Sequence, residues 1–184
     1  MRAISELLEE HEAIRKMLGV LGVVAARLEA GEQVPEEDLR GIGEFFSVFA
    51  DKCHHGKEEE ALFPVLEQAG IPRDNGPIGV MLYEHTLGRS LVARIKASLD
   101  GCLAGELGAR AEFASAAHEY IALLDNHISK ENNVLFPMAE DRLTPEQDAE
   151  LTAAFATLEE DQIGEGVHEQ LHRMTQRLED TYLA

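Results

Sequence analysis

Apolar residues recur at three- and four-residue intervals along most of the chain, and no stretch alternates apolar with polar for long enough to argue for a strand. The pattern predicts an all-α protein. A first helix is expected over about residues 4 to 29, with Ile4, Leu7, Leu8, His11, Ile14, Leu18, Leu21, Ala25 and Leu28 on one stripe and Gly31 as its stop. A second starts after Pro35 and continues to Gly70, disturbed at Pro64, which cannot donate an interior hydrogen bond. The segment "IPRDNGP" is loop chemistry. The third helix runs from Pro77 to about Leu99 with Ile78, Met81, His85, Gly88, Val92 and Leu99 at heptad-like spacing, and Gly101, Gly105 and Gly108 mark a linker. A fourth covers about residues 109 to 141, and Thr144 with Gln147 forms a capping-box pattern that opens shorter helices over about 145 to 160 and 166 to 182.

Four long helices joined by short connections pack most economically as an up-down-up-down four-helix bundle. The expected organisation is a bundle over residues 1–142 and a C-terminal helical extension, residues 143–184, packed on its outside or across one end.

Length and charge narrow the function classes. A chain of 184 residues suits one compact domain with its own core. Sixteen Lys and Arg against 35 Asp and Glu give a formal charge of -19, which repels nucleic acid and anionic membrane surfaces, so neither is an expected partner. No span approaches the roughly 20 apolar residues of a membrane helix. Glu6, Glu9 and Glu10 break any signal-like run at the start. Cys53 and Cys102 lack a CxxC arrangement and read as reduced, small buried hydrophobes. The expected setting is soluble and cytoplasmic.

Histidine changes the picture. His127 shares a helix face with Phe113, Ala116, Tyr120, Leu123, Leu124, Val134, Leu135 and Met138, and His11 and His85 lie in the apolar stripes of their own helices. His118 projects from the opposite side of the fourth helix and is expected in solvent. One inward histidine is ordinarily a core residue satisfied by a hydrogen bond. Several imidazoles in one small core are costly unless something bonds to all of them, and a metal held between facing helices does so.

An internal repeat extends the set. "HHGKEEEALFP", residues 54–64, aligns without a gap on "HISKENNVLFP", residues 127–137, sharing HxxKE followed by LFP. His54 then matches His127, and Glu58 matches Glu131; a histidine and a glutamate four apart lie one turn from each other on one face. On the second helix Leu39, Ile42, Phe46, Phe49 and Cys53 make the apolar arc, which turns His54 inward and His55 away. Gly43, Ser47 and Ala50 beside His54 would let a neighbouring helix come close, and Glu59 and Glu60 read as solvated charge. The candidate metal ligands are His11, His54, Glu58, His85, His127 and Glu131. They suit a pair of iron or manganese ions with bridging carboxylates, whereas one structural zinc would leave two buried polar groups unemployed. In "HEQLH", His168 and His172 sit at the edge of the last helix's stripe, where packing or surface exposure is the expected role.

The order His, HxxxE, His, HxxxE, with "KEEEALFP" and "KENNVLFP" behind the second and fourth elements, resembles the hemerythrin-like HHE cation-binding family over about residues 1 to 142. The resemblance implies a four-helix bundle around a non-haem di-iron centre, oxo- or hydroxo-bridged, with both glutamates bridging and an open position for dioxygen, peroxide or nitric oxide. Oxygen carriers of the family place a further histidine one turn from the first on the third helix, where this chain has Met81 and Arg89, and use an Asp where it has Glu131. The expected function is therefore a di-iron protein that binds or senses one of these small ligands. A peroxide-degrading di-iron enzyme and an iron-responsive metal-handling protein are the alternatives.

Overall fold

The computed structural model describes every residue except Glu165 and, of Ile163, Val167 and His168, only the backbone. Six helices and no strand are found among the described residues. They are α1 (Arg2–Glu29), α2 (residues 36–68), α3 (Pro77–Leu103), α4 (residues 107–142), α5 (Pro145–Ile163) and α6 (Val167–Tyr182). The predicted linker at Gly101, Gly105 and Gly108 is shorter than expected, since Gly101 lies within α3 and Gly108 within α4 and only Gly105 stands between them; the breaks after α1 and before α5 hold for physical reasons. Gly31 takes φ +81°, a conformation open to glycine, just past the end of α1. At the start of α5 the Gln147 amide donates to Thr144 Oγ1 while Gln147 Oε1 accepts from the Thr144 amide, closing the capping box.

Two apolar clusters give the direction of the helices. The smaller gathers the beginnings of α1 (Ala3, Ile4, Leu7) and α3 (Ile78, Met81) with the ends of α2 (Leu62, Phe63, Leu66) and α4 (Leu135, Phe136, Ala139), capped by Leu151 and Phe155 of α5. The larger gathers the opposite ends and is joined by Leu171, Leu178 and Tyr182 of α6. Successive helices therefore run antiparallel, the up-down-up-down bundle the pattern predicts. Helix α6 is pinned by Asp38, which accepts from Arg177 Nη1 and from the Tyr182 hydroxyl, each at 2.6 Å.

Helices α2 and α4 are not regular. α2 is wound as a π-helix over Phe45–His55 and again over Glu58–Leu62, and α4 over Glu131–Leu135. Pro64 and Pro137 each stand two residues beyond a wide-wound stretch. Proline lacks the amide donor, and its ring crowds the carbonyl one turn back, so the ladder ahead of it opens. The repeated LFP thus marks the loosening over Glu58–Leu62 and Glu131–Leu135, while the longer stretch over Phe45–His55 lies beyond the reach of Pro64.

Candidate metal centre

Between the two apolar clusters lies a polar layer contributed by all of α1 to α4. His11 comes from α1, His54, His55 and Glu58 from α2, His85 from α3, and His127 and Glu131 from α4, and each is at most 3% exposed. The six residues chosen from sequence meet here. His11 Nε2 lies 3.2 Å from Glu131 Oε2, His127 Nε2 3.3 Å from the same oxygen, His85 Nε2 3.4 Å from Glu58 Oε2 and His54 Nε2 3.6 Å from Glu58 Oε1.

A seventh residue joins them and corrects the helical projection. His55, expected in solvent, is 3% exposed and stacks on His85 with ring centroids 3.9 Å apart and planes 16° from parallel. An i→i+5 turn takes up one residue more than an α turn, so everything after it lags by about the 100° of one position. The π stretch ending at His55 supplies that lag and brings both neighbouring histidines inside. Glu59, also expected in solvent, accepts from His85 Nδ1 and Arg89 Nη2, each at 2.7 Å. His118 and His172 are exposed, and the His168 side chain lies outside the described residues.

The buried atoms that converge on the layer's centre have no hydrogen-bond partner: Nε2 of His11, His54 and His55 and both oxygens of Glu58 and Glu131. Orphaned acceptors at this depth cost several kcal/mol unless a cation takes them (~1–3 each). They fall into two sets of potential ligands, His55, Glu58, His85 and His127 on one side and His11, His54, Glu58 and Glu131 on the other, with ligand atoms of each set within 4.8 Å of one another. Glu58 belongs to both, and Glu131 Oε2 faces His11 and His127 alike. The donor set fits a metal.

Burial prepares His54, His55 and His85 as neutral ligands. Burial pushes His54 down to about 4, burial and the nearby His85 hold His55 well below the usual histidine range, and burial lowers His85 as well. Burial together with the Glu131 charge raises Glu58 well above the usual carboxylate range. Burial works to raise Glu131 too, but His127, His11 and His54 outweigh it and hold that carboxyl at about 2. Two carboxylates this close and this deep stay ionised together only beside a cation.

An outer set of partners fixes four of the five rings, all but His55, by the other nitrogen. His54 Nδ1 donates to Glu10 at 2.7 Å, His85 Nδ1 to Glu59 at 2.7 Å, His127 Nδ1 to Glu84 at 3.0 Å and His11 Nδ1 to the amide oxygen of Asn132 at 2.6 Å. Such bonds select the tautomer that presents Nε2 to a metal. Lys57 in turn reaches Glu10 at 2.5 Å, Glu6 at 2.8 Å and Glu159 of α5 at 3.0 Å, and Lys130 pairs with Glu84. Phe63 stacks on His85 and Phe136 on His11, with centroids 6.0 and 5.4 Å apart. The sequence signal for the outer carboxylates was the dipeptide Glu-His, present as Glu10-His11 and again as Glu84-His85. Cys53 belongs to neither ligand set, and burial pushes its thiol up to about 12.

An antiparallel four-helix bundle with a buried His and Glu layer defines a metal-binding bundle protein. The family profile described as the hemerythrin HHE cation binding domain matches residues 2–139, and the chain belongs to that family. It is similar to an uncharacterised protein of Mycobacterium tuberculosis (strain ATCC 25618 / H37Rv), 28% identical over 163 residues, 89% of this chain and 63% of that one. Iron-sulfur cluster repair protein YtfE of Enterobacter sp. (strain 638) is 32% identical over 133 residues, and that of Edwardsiella ictaluri (strain 93-146) 33% over 135, each alignment covering 70% of this chain. The chain spans 60% of the length of those two relatives. No solved structure matches it significantly. Family and site together make this a hemerythrin-type metal-binding protein; among the described residues no helix is long and apolar enough to cross a membrane.

Proposed function

We propose that the chain holds two iron ions in the polar layer and binds a small ligand, dioxygen, peroxide or nitric oxide, at the ion on the His11 side, acting as a binder or sensor. The observation that supports this most directly is the division of histidines around the shared carboxylates, three (His55, His85, His127) against two (His11, His54). Glu58 stands in both sets and Glu131 Oε2 faces His127 as well as His11, so with both carboxylates counted on each side the two-histidine side has fewer protein donors and would leave room for an incoming molecule. Bound iron would supply a redox-active Lewis acid there. The protein's part is to keep His54, His55 and His85 neutral, to aim Nε2 of His11, His54, His85 and His127 inward through their Nδ1 bonds, and to exclude bulk water by burial.

The test is metal analysis of protein loaded with ferrous iron, followed by near-ultraviolet and visible spectra on exposure to oxygen, hydrogen peroxide and nitric oxide. Two irons per chain and a ligand-dependent spectrum are expected. One zinc per chain, unchanged by iron loading, would overturn the reading. The rate of peroxide loss separates a binder from a peroxide-degrading enzyme.

The names of the YtfE relatives favour a second reading, in which the bound iron is handed to a damaged iron-sulfur cluster. Recovery of a cluster-depleted ferredoxin by the iron-loaded protein and sulfide, in the presence of a chelator at a concentration that blocks recovery from the same amount of ferrous salt, distinguishes this from ligand binding.

A further inference from the structure

The polar layer has an internal pseudo-symmetry that breaks at a particular outer residue. The repeat pairs His54 with His127, Lys57 with Lys130, Glu58 with Glu131 and Glu59 with Asn132, while Glu10-His11 is matched by Glu84-His85. The contacts repeat accordingly. Each HxxKE histidine donates Nδ1 to the Glu of a Glu-His pair, and the Lys of the same motif reaches that Glu (His54, Glu10, Lys57; His127, Glu84, Lys130). Each Glu-His histidine donates Nδ1 to the residue after a shared glutamate (His85 to Glu59; His11 to Asn132). Three of these four acceptors are carboxylates, and the fourth, Asn132, is a neutral amide.

A carboxylate behind a histidine draws on its Nδ1 proton and makes Nε2 a stronger donor; an amide oxygen does so less. His11 is therefore the weakest imidazole donor among the four. It also belongs to the side with fewer histidines.

We propose that Asn132 widens the inequivalence of the two metal positions that the histidine count begins, leaving the His11 and His54 position the more weakly held and giving the ion there the higher reduction potential. The inference rests on the reading that two ions occupy the layer. Asn132 acts through His11, and it is a positioning and tuning residue rather than a ligand.

The repeat provides the test as a reciprocal pair of near-isosteric changes. Asn132→Asp gives His11 a carboxylate; Glu59→Gln takes one from His85. Wild type and both variants are loaded with ferrous iron, counted for metal, challenged with a chelator and titrated for midpoint potential. Wild type is expected to release two equivalents in separate phases. Asn132→Asp should slow the fast phase by ~10-fold and lower the higher potential. Glu59→Gln should hasten the slow phase and leave the fast one unchanged. Asn132→Leu, which removes the bond altogether, should hasten the fast phase; if instead Asn132→Asp and Asn132→Leu behave alike, the residue is only a spacer and the proposal falls. Two equivalents released with phases and potentials indifferent to Asn132→Asp would overturn the tuning role while leaving the two-ion reading intact. A single equivalent in wild type would overturn both.

Discussion

His55 and His85 lie face to face, ring centroids 3.9 Å apart, although α-helical geometry projects His55 to the far side of α2 from the bundle axis. The pairing places His55 in the ligand set with Glu58, His85 and His127. His55→Ala should therefore cost about half of the bound iron, as measured by metal analysis after desalting, and His172→Ala should cost none. Full iron retention by His55→Ala would return that ring to a packing role.

Glu58 is the residue common to both ligand sets. Glu58→Ala should lose both ions, whereas His54→Ala should lose chiefly the ion on the His11 side. The comparison is made by iron content and by the near-ultraviolet band of a coupled pair. Equal, single-ion losses in the two variants would argue that Glu58 does not bridge.

Removing metal should lower stability, because the orphaned carboxylate oxygens and imidazole nitrogens would face one another in the core. It should also expose a pH dependence with a definite sign. The folded-state pKa values of His54, His55 and His85 lie below the ordinary 6.5, about 4 for His54, so between these limits the unfolded chain binds more protons than the native one. Stability of the chelated protein then falls as pH drops from about 6.5 towards 4. Glu58 acts the other way, its raised carboxyl favouring the fold at low pH, but it is one group against three. Urea midpoints at pH 7.5 and 5 test this; a higher midpoint at pH 5 would contradict it.

Lys57 is 1% exposed and lies among Glu6, Glu10 and Glu159, which ties α5 to the outer partner of His54. Lys57→Met keeps the stem and deletes the charge, leaving Glu10 buried beside His54 without its cation. A destabilisation of ~3 kcal/mol is expected, at the low end for a broken buried pair because Glu6 and Glu159 are partly exposed. Metal should also be released faster. The Glu159→Gln variant, which keeps the Glu6 and Glu10 partners, should lose less. Denaturant titration with chelator-release kinetics checks both.

Much of this protein was determined by its sequence alone. The 3.6-residue spacing of apolar positions, the glycine and proline stops and the Thr144 capping box are local properties, and they placed the helices and their antiparallel order. The gapless repeat singled out His54, Glu58, His127 and Glu131, because HxxxE on a helix presents both side chains to one side whatever lies opposite. The tertiary structure decided what depends on phase and on neighbours. His55 entered the layer because the π turns of Phe45–His55 rotate α2, a distortion that a fixed 100° projection does not carry. The pairing of each ring with Glu10, Glu59, Glu84 or Asn132 joins different helices. Those partners were visible as residues, but which imidazole each one holds follows from how α1 to α4 pack, and that packing is what distinguishes the two sides of the layer.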